Sequence, residues 1–199
     1  MGTKSLPLSY TNQEYKYNMN NFTSLIKQRR STRRFTEELL SPEQVEMILK
    51  AALMSPSSKS KNPWEFVVIE DKEMLKQLAT CKEHGASFLE ECALAIVVLA
   101  NTMVSDVWIE DASVASIYMQ LQAEDLGLGS CWCQIRSRVT PEETDSNEYI
   151  RRLLNIPYQL DVLSIIGFGY KAQERKPFDE EKLQWEKVHI GEYKINNQQ

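Results

Sequence analysis

The sequence predicts a one-domain α/β or α+β fold, with about five helices and four strand candidates. Strand-like and helix-like segments alternate from residue 64 onward, and no linker, low-complexity tract or internal repeat interrupts them. One apolar run, Ala93 to Ala100, is continuous enough for a central strand buried on both faces. The 199 residues, 42% hydrophobic and 26% charged, suffice for one sizeable core, so residues 1–199 read as a single domain.

A first helix is expected over about Asn12 to Gln28, where Tyr15, Met19, Phe22, Leu25 and Ile26 recur at helical spacing. Ser41-Pro42-Glu43-Gln44 opens the next helix, with Ser41 as N-cap, Pro42 at N1 and Gln44 closing a capping box, and Val45, Ile48, Leu49 and Ala52 forming its buried stripe. The polar, proline-bounded stretch Ser55 to Pro63 reads as a loop. Trp64 to Glu70 is rich in β-branched and aromatic residues and reads as a strand, after which Asp71 begins a charged helix. Asp106 or a neighbour is expected to cap a longer helix that carries Val114, Ile117, Tyr118, Leu121 and Leu126 and ends at Gly127. Ser130 to Ile135 is a strand candidate, Asn147 to Leu154 a short helix, and Val162 to Phe168 another central strand. From Ala172 onward the chain is polar but carries Phe178, Trp185, Val188, Ile190 and Tyr193, so residues 172–199 are expected to dock on a neighbouring surface, such as another subunit.

A net charge of −5 and a pI near 5.2 argue against a general nucleic-acid binder, which needs an extended basic face. The N-terminal stretch lacks the apolar core of a secretory signal, and the longest apolar run is far too short to span a bilayer, so a soluble, cytoplasmic protein without membrane partners is expected. Cys81, Cys92, Cys131 and Cys133 read as reduced core thiols. The Cys131-x-Cys133 spacing puts two of them on one strand face, and no His-Cys pattern with zinc spacing exists, so no metal site is expected.

Against this acidic background, Arg29-Arg30-Ser31-Thr32-Arg33-Arg34-Phe35 concentrates four cations around two hydroxyls. Alone it reads as a solvated helix terminus or a local anion site. Two further segments offer donors suited to phosphate: the Pro56-Ser57-Ser58 loop, and Arg175-Lys176 beyond the last strand, where open α/β sheets place ligands. Neither a Gly-x-Gly-x-x-Gly nor a Walker A lysine motif is present. Trp64 and Trp132 read as packing groups.

Taken in order, these segments resemble the FMN-dependent nitroreductase family, whose pattern is Arg-Arg-Ser-x-Arg-x-Phe, then a Pro-Ser-Ser loop, then Pro-Trp. The corresponding residues are Arg29 to Phe35, Pro56-Ser57-Ser58 and Asn62-Pro63-Trp64. The likeness continues through Asp125-Leu126-Gly127-Leu128-Gly129-Ser130-Cys131-Trp132 to the Gly167 turn, covering about Phe22 to Lys176.

The resemblance implies an α+β, three-layer α/β nitroreductase-like fold with a central mixed sheet of about four to five strands flanked by helices, and a homodimer with tail exchange and flavin sites at the subunit interface. It implies FMN as cofactor, contacted by Arg29, Arg30, Ser31 and Arg33, with Arg175 and Lys176 joining the phosphate grip. Arg29, and after it Arg33, is the candidate for the N1 and C2-oxygen side of the ring; Arg34 is left free. Pro56, Ser57 and Ser58 are expected to reach the flavin of the partner subunit. The family often has Asn two residues before the Gln of Gln-Pro-Trp; this chain has Ser60 there and Asn62 in the Gln position, so the ring-edge contact passes to Ser60 or Asn62. Backbone near flavin N5 maps onto Trp132, Cys133 and Gln134, with Gln134 favoured. The implied activity carries reducing equivalents from NADH or NADPH through flavin N5 to an electron-poor acceptor such as a nitroaromatic, quinone or enone, in ping-pong turnover and without a catalytic side chain. The alternative is a same-fold flavoprotein that does not use nicotinamide efficiently: a flavin-destructase, a dehalogenase-like enzyme or an FMN-binding regulator.

Overall fold

The central apolar run organises the rest of the molecule. In the computed structural model, which describes residues 22–193, it forms strand β2 (Leu94–Asn101), hydrogen-bonded on one side to β1 (Trp64–Ile69) and on the other to β4 (Leu160–Tyr170), which in turn pairs with β3 (Leu128–Gln134). With neighbours on both edges and helices on both faces, β2 is buried from Leu94 to Ala100, as its composition requires.

The sheet has four strands in the order β1-β2-β4-β3, and every strand pair is antiparallel. A mixed sheet was expected; among the described residues the parallel component is confined to one bridge, Ser31 to Ser130. Period-2 alternation divides β2 between two cores. Ile96, Val98 and Ala100 face Ile48 and Ala52 of α2 (Pro42–Leu53) and Ala112, Met119 and Ala123 of α4 (Trp108–Asp125). Ala95, Val97 and Leu99 face Leu75 and Leu78 of α3 (Lys72–Ala79) and Ile150 of α5 (Ser146–Leu153). The result is the expected three-layer arrangement.

Local signals set most boundaries. Ser41 accepts from the Gln44 amide while the Gln44 side chain accepts from the Ser41 amide, completing the capping box of α2. Asp71 and Asp145 cap α3 and α5 through the amides of Met74 and Glu148. For α4, where Asp106 or a neighbour was expected, the N-cap position is Val107, whose side chain makes no capping bond. Gly127 ends this helix at φ +75°, and its amide bonds the Glu124 carbonyl. The first helix, α1, is described as Phe22–Gln28; Asn12 to Asn21 of its expected span, with Tyr15 and Met19, lie outside the described residues.

Beyond β4 the tail is held to its own chain by the Phe178 amide on the Lys27 carbonyl (2.8 Å) and by the Lys27–Glu180 ion pair (3.0 Å). Further along, Trp185, Val188, Ile190 and Tyr193 are exposed.

Candidate functional site

The arginine segment is attached to the sheet by its main chain. The Thr32 amide donates to the Ser130 carbonyl (2.9 Å) on the outer edge of β3; the Thr36 amide donates to Tyr170 (3.0 Å), and the Ala172 amide returns to Arg34 (3.1 Å). Two glycines permit this approach. A Cβ on Gly129 would stand 2.7 Å from Thr32 Cβ, and one on Gly169 would stand 2.9 Å from the Phe35 ring. Gly129 and Gly169 face each other across the β3–β4 ladder, so the cradle is built from one cross-strand pair.

Attachment at Ser130 also fixes which β3 groups face outward. The N–H and C=O of one strand residue point to the same side, and the side alternates along the chain. Because the Ser130 carbonyl faces the outer edge, Trp132 and Gln134 turn their main-chain groups outward as well, whereas those of Cys133 turn toward β4. The Trp132 indole donates to Gln134 Oε1 (3.0 Å) and the Gln134 amide donates to the Arg136 carbonyl (3.0 Å), which fixes both side chains.

The cations separate by environment. Arg34 pairs with Glu91 on the surface. Arg30 donates to the Lys176 carbonyl (3.0 Å) and, with Arg175, lines a cavity of about 430 Å³ at the C-terminal end of α4. Three cations and three carboxylates line this cavity; Glu124 and Lys171 pair with each other (2.6 Å), which leaves Arg30 and Arg175 facing Asp125 and Glu174. Arg29 is half-buried and Arg33 exposed, and neither guanidinium takes a hydrogen-bond or ion-pair partner among the described residues. Burial pushes the Cys131 thiol up, and Arg33 and Ser31 oppose that shift, which places both beside β3.

The Pro56-Ser57-Ser58 loop lies elsewhere, between α2 and β1. β1 and β3 are opposite edges of the sheet, about 14 Å apart at ordinary strand spacing. The loop touches α4 at Asp111 and the arginine cavity touches it at Glu124, positions about 20 Å apart along a helix. The residues expected to share one site therefore fall into two separate groups within one chain.

The loop is internally locked. Ser57 Oγ donates to Asn62 Oδ1 (2.6 Å) and accepts from the Asn62 amide (2.9 Å). Lys59, Ser60 and Asn62 all have positive φ, at 52°, 53° and 44°, conformations that non-glycine residues rarely adopt. The exposed Ser60 hydroxyl and the Asn62 Nδ2 group remain unengaged among the described residues.

The nitroreductase family profile matches residues 26–97 and 80–170. The chain belongs to the nitroreductase family. It is similar to a solved FMN-dependent nitroreductase from Clostridium difficile, 44% identical with a TM-score of 0.83 over 85% of this chain and 98% of that one. A curated relative from Archaeoglobus fulgidus, provisionally named an NADH dehydrogenase/NAD(P)H nitroreductase, is 33% identical over 83% of this chain and 94% of its own length. A second solved structure under the same provisional name, from Parabacteroides distasonis, is 30% identical with a TM-score of 0.79 over 87% and 99% of the two chains.

Within this member of the nitroreductase family the four cysteines are free and buried. Burial pushes Cys92 up to about 12, while Cys81 is raised chiefly by its thiol contact with Cys133. The Cys133 thiol thus points into the core, and only its main chain could have served a cofactor. Trp64 is buried and stacks on Phe66 at 5.6 Å, in keeping with a packing role. Among the described residues, no His/Cys/Asp/Glu group could hold a metal and no helix is long and apolar enough to cross a membrane.

Sequence reasoning missed two buried acids, Glu124 and Asp111. Asp111 Oδ1 accepts the Ser58 amide (2.7 Å) and Oδ2 accepts the Ser105 hydroxyl (3.0 Å). An acid in the first turn of a helix ordinarily marks a solvated N-terminus, so Asp111 carries no sequence signal for burial, and Glu124, in the last turn of α4, is buried against Lys171 from a distant segment.

Proposed function

We propose that this chain is an FMN-dependent NAD(P)H oxidoreductase acting on electron-poor acceptors, with each flavin site assembled from two subunits. The observation that carries this reading is the attachment of the Arg29–Arg33 segment to the outer edge of β3, beside the outward main chain of Trp132 and Gln134.

The donor set suits FMN. A planar phosphorylated ring needs cations for the phosphate and N–H donors along the ring edge, and both kinds lie along the arginine segment and the outer edge of β3. Arg30 and Arg175 converge on one cavity and would hold the phosphate, with Lys176 beside them. Arg29, Ser31 and Arg33 would line the ring side, where a guanidinium stabilises negative charge on a reduced ring. The outward amide of Gln134, or that of Trp132, would donate to the ring edge; Cys133, whose amide turns inward, would not. Bound FMN supplies two-electron chemistry, accepting a hydride equivalent from NADH or NADPH and returning it to the acceptor. The chain's own residues bind, orient and polarise.

Pro56, Ser57, Ser58, Ser60 and Asn62 would serve the partner's flavin, since the span of α4 separates them from the arginine edge of their own chain. An apolar groove between α1, α2 and α4, lined by Leu25, Met54, Tyr118 and Leu121, offers the surface for pairing, with Phe22 and Leu53 exposed nearby. The exposed aromatics of the tail fit the same arrangement, docking on the second subunit.

The test is spectroscopic. Purified protein should be yellow or become so on adding FMN, and should bleach anaerobically with NADH or NADPH. Colourless protein that cannot be reconstituted would sink the reading, whereas bound flavin that resists both nicotinamides would transfer the chain to a same-fold class that does not turn them over. An acceptor panel of nitroaromatics, quinones and enones then identifies the oxidative half-reaction.

A further inference from the structure

We propose that Asp111 is a positioning residue: its buried carboxylate pins the strained 57–62 loop in the conformation that reaches the flavin. The inference rests on the flavin-site reading above but concerns a residue that would not touch the cofactor.

Asp111 lies in the first turn of α4 with only 5% of its surface exposed. It pairs with no lysine or arginine among the described residues; its oxygens are instead satisfied by the Ser58 amide (2.7 Å) and the Ser105 hydroxyl (3.0 Å). A buried acid of this kind is strongly destabilising unless its acceptors are filled, so the protein retains it where the bonds it accepts matter. Those bonds join two loops. Ser58 belongs to the 57–62 loop and Ser105 to the turn after β2, and Lys61 Nζ on the Val104 carbonyl (2.7 Å) forms a second tie between the same pair.

The backbone just after Ser58 explains the need for a pin. Lys59, Ser60 and Asn62 occupy left-handed backbone that persists only where surrounding contacts impose it. The Ser57–Asn62 lock closes the loop on itself but anchors it to nothing. The Asp111 bond fixes the loop to α4 through the Ser58 amide, and the Ser58 hydroxyl has no hydrogen-bond partner among the described residues.

The experiment compares Asp111→Ala, Asp111→Asn and Ser105→Ala in the full-length protein by hydrogen exchange without FMN and by FMN titration. Asp111→Ala should speed exchange of the 57–62 peptide and raise the FMN Kd, each by about tenfold, and should alter the visible circular dichroism of bound flavin. Asp111→Asn, whose Oδ1 can still accept from Ser58 while Nδ2 donates to Ser105, should stay near wild type on every readout. Ser105→Ala should weaken FMN by about twofold to threefold. Unchanged exchange in a folded Asp111→Ala protein overturns the pin, as does faster exchange with wild-type FMN affinity. If Asp111→Ala does not fold, a Ser105→Ala protein with wild-type exchange and affinity overturns it instead. Wild-type protein that binds no FMN would end the flavin reading, while the exchange measurement would still decide whether Asp111 holds the loop.

Discussion

The two halves of the candidate site are built in opposite ways. The arginine half is laid on the sheet by main-chain bonds to Ser130 and Tyr170 over a pair of glycines, so its backbone is fixed whatever side chains it carries. The serine-loop half has no strand beneath it. Three of its residues sit at positive φ; main-chain bonds from Ser60 to Ser57 and from Lys61 to Ser58 turn it on itself, and side chains lock and anchor it: Ser57 with Asn62, Lys61 with Val104, and Asp111 with Ser58. The first half should therefore be sensitive to added volume beneath it and the second to lost hydrogen bonds.

Adding volume is the harshest way to break the contrast. Gly129→Ala places a methyl group 2.7 Å from Thr32, in backbone held by the rest of the sheet, and should cost about 2–3 kcal/mol of stability with loss of most FMN binding. Chemical denaturation and flavin titration check both. A Gly129→Ala protein of wild-type stability would mean that the arginine segment is not fixed to β3 at all.

Side-chain removal on the same half comes next. Arg29→Ala should raise the FMN Kd by roughly tenfold to a hundredfold, the scale of lost charge-assisted bonds, while Arg34→Ala should change it less than about twofold, because the exposed Arg34 is paired with Glu91. Equal losses in the two variants would show that the cluster acts as a diffuse positive field. The same variant tests assembly across subunits. Mixed dimers of Arg29→Ala with a Ser57→Ala/Asn62→Ala chain should regain one intact site in two, whereas sites complete within one chain would regain none.

The contrast also explains what could be read in advance. Ser41 to Gln44, the apolar run at Ala93 to Ala100 and Gly127 carry local chemistry that determines local structure, and each element appears close to its expected place. The arginine segment was legible as a cluster of charge, and its order with Pro56-Ser57-Ser58 and Asn62-Pro63-Trp64 as a family pattern. Its dependence on Gly129 and Gly169 was not, because close approach is a property of pairs distant in sequence. The start of α4 falls on Val107, a neighbour of Asp106 as expected, but without the side-chain cap that Asp106 would have supplied. Asp111 and Glu124 were invisible because burial of an acid depends on the loop or lysine that folds over it.

On the loop half the effects shrink and one should change sign. Ser57→Ala removes the hydroxyl that both donates to and accepts from Asn62, so it should loosen the loop by about 1 kcal/mol and raise the FMN Kd severalfold. Lys59→Gly is the finer probe. Lys59 sits at φ 52° and ψ 26°, where a Cβ is strained and glycine is not, and its exposed side chain is not used by the lock. Relief of that strain opposes the larger backbone entropy that glycine brings to the unfolded chain, so the net change should lie between zero and about 1 kcal/mol in favour of the fold. Thermal melts of the apo protein measure it directly. A neutral or stabilising glycine at 59, set against a strongly destabilising alanine at 129, would establish that the loop holds its shape against its own backbone preference while the arginine edge rests in a shape its glycines already permit. A clear loss of stability at 59 would mean instead that the lysine side chain contributes to the loop's hold, and that the two halves differ less than their backbone angles imply.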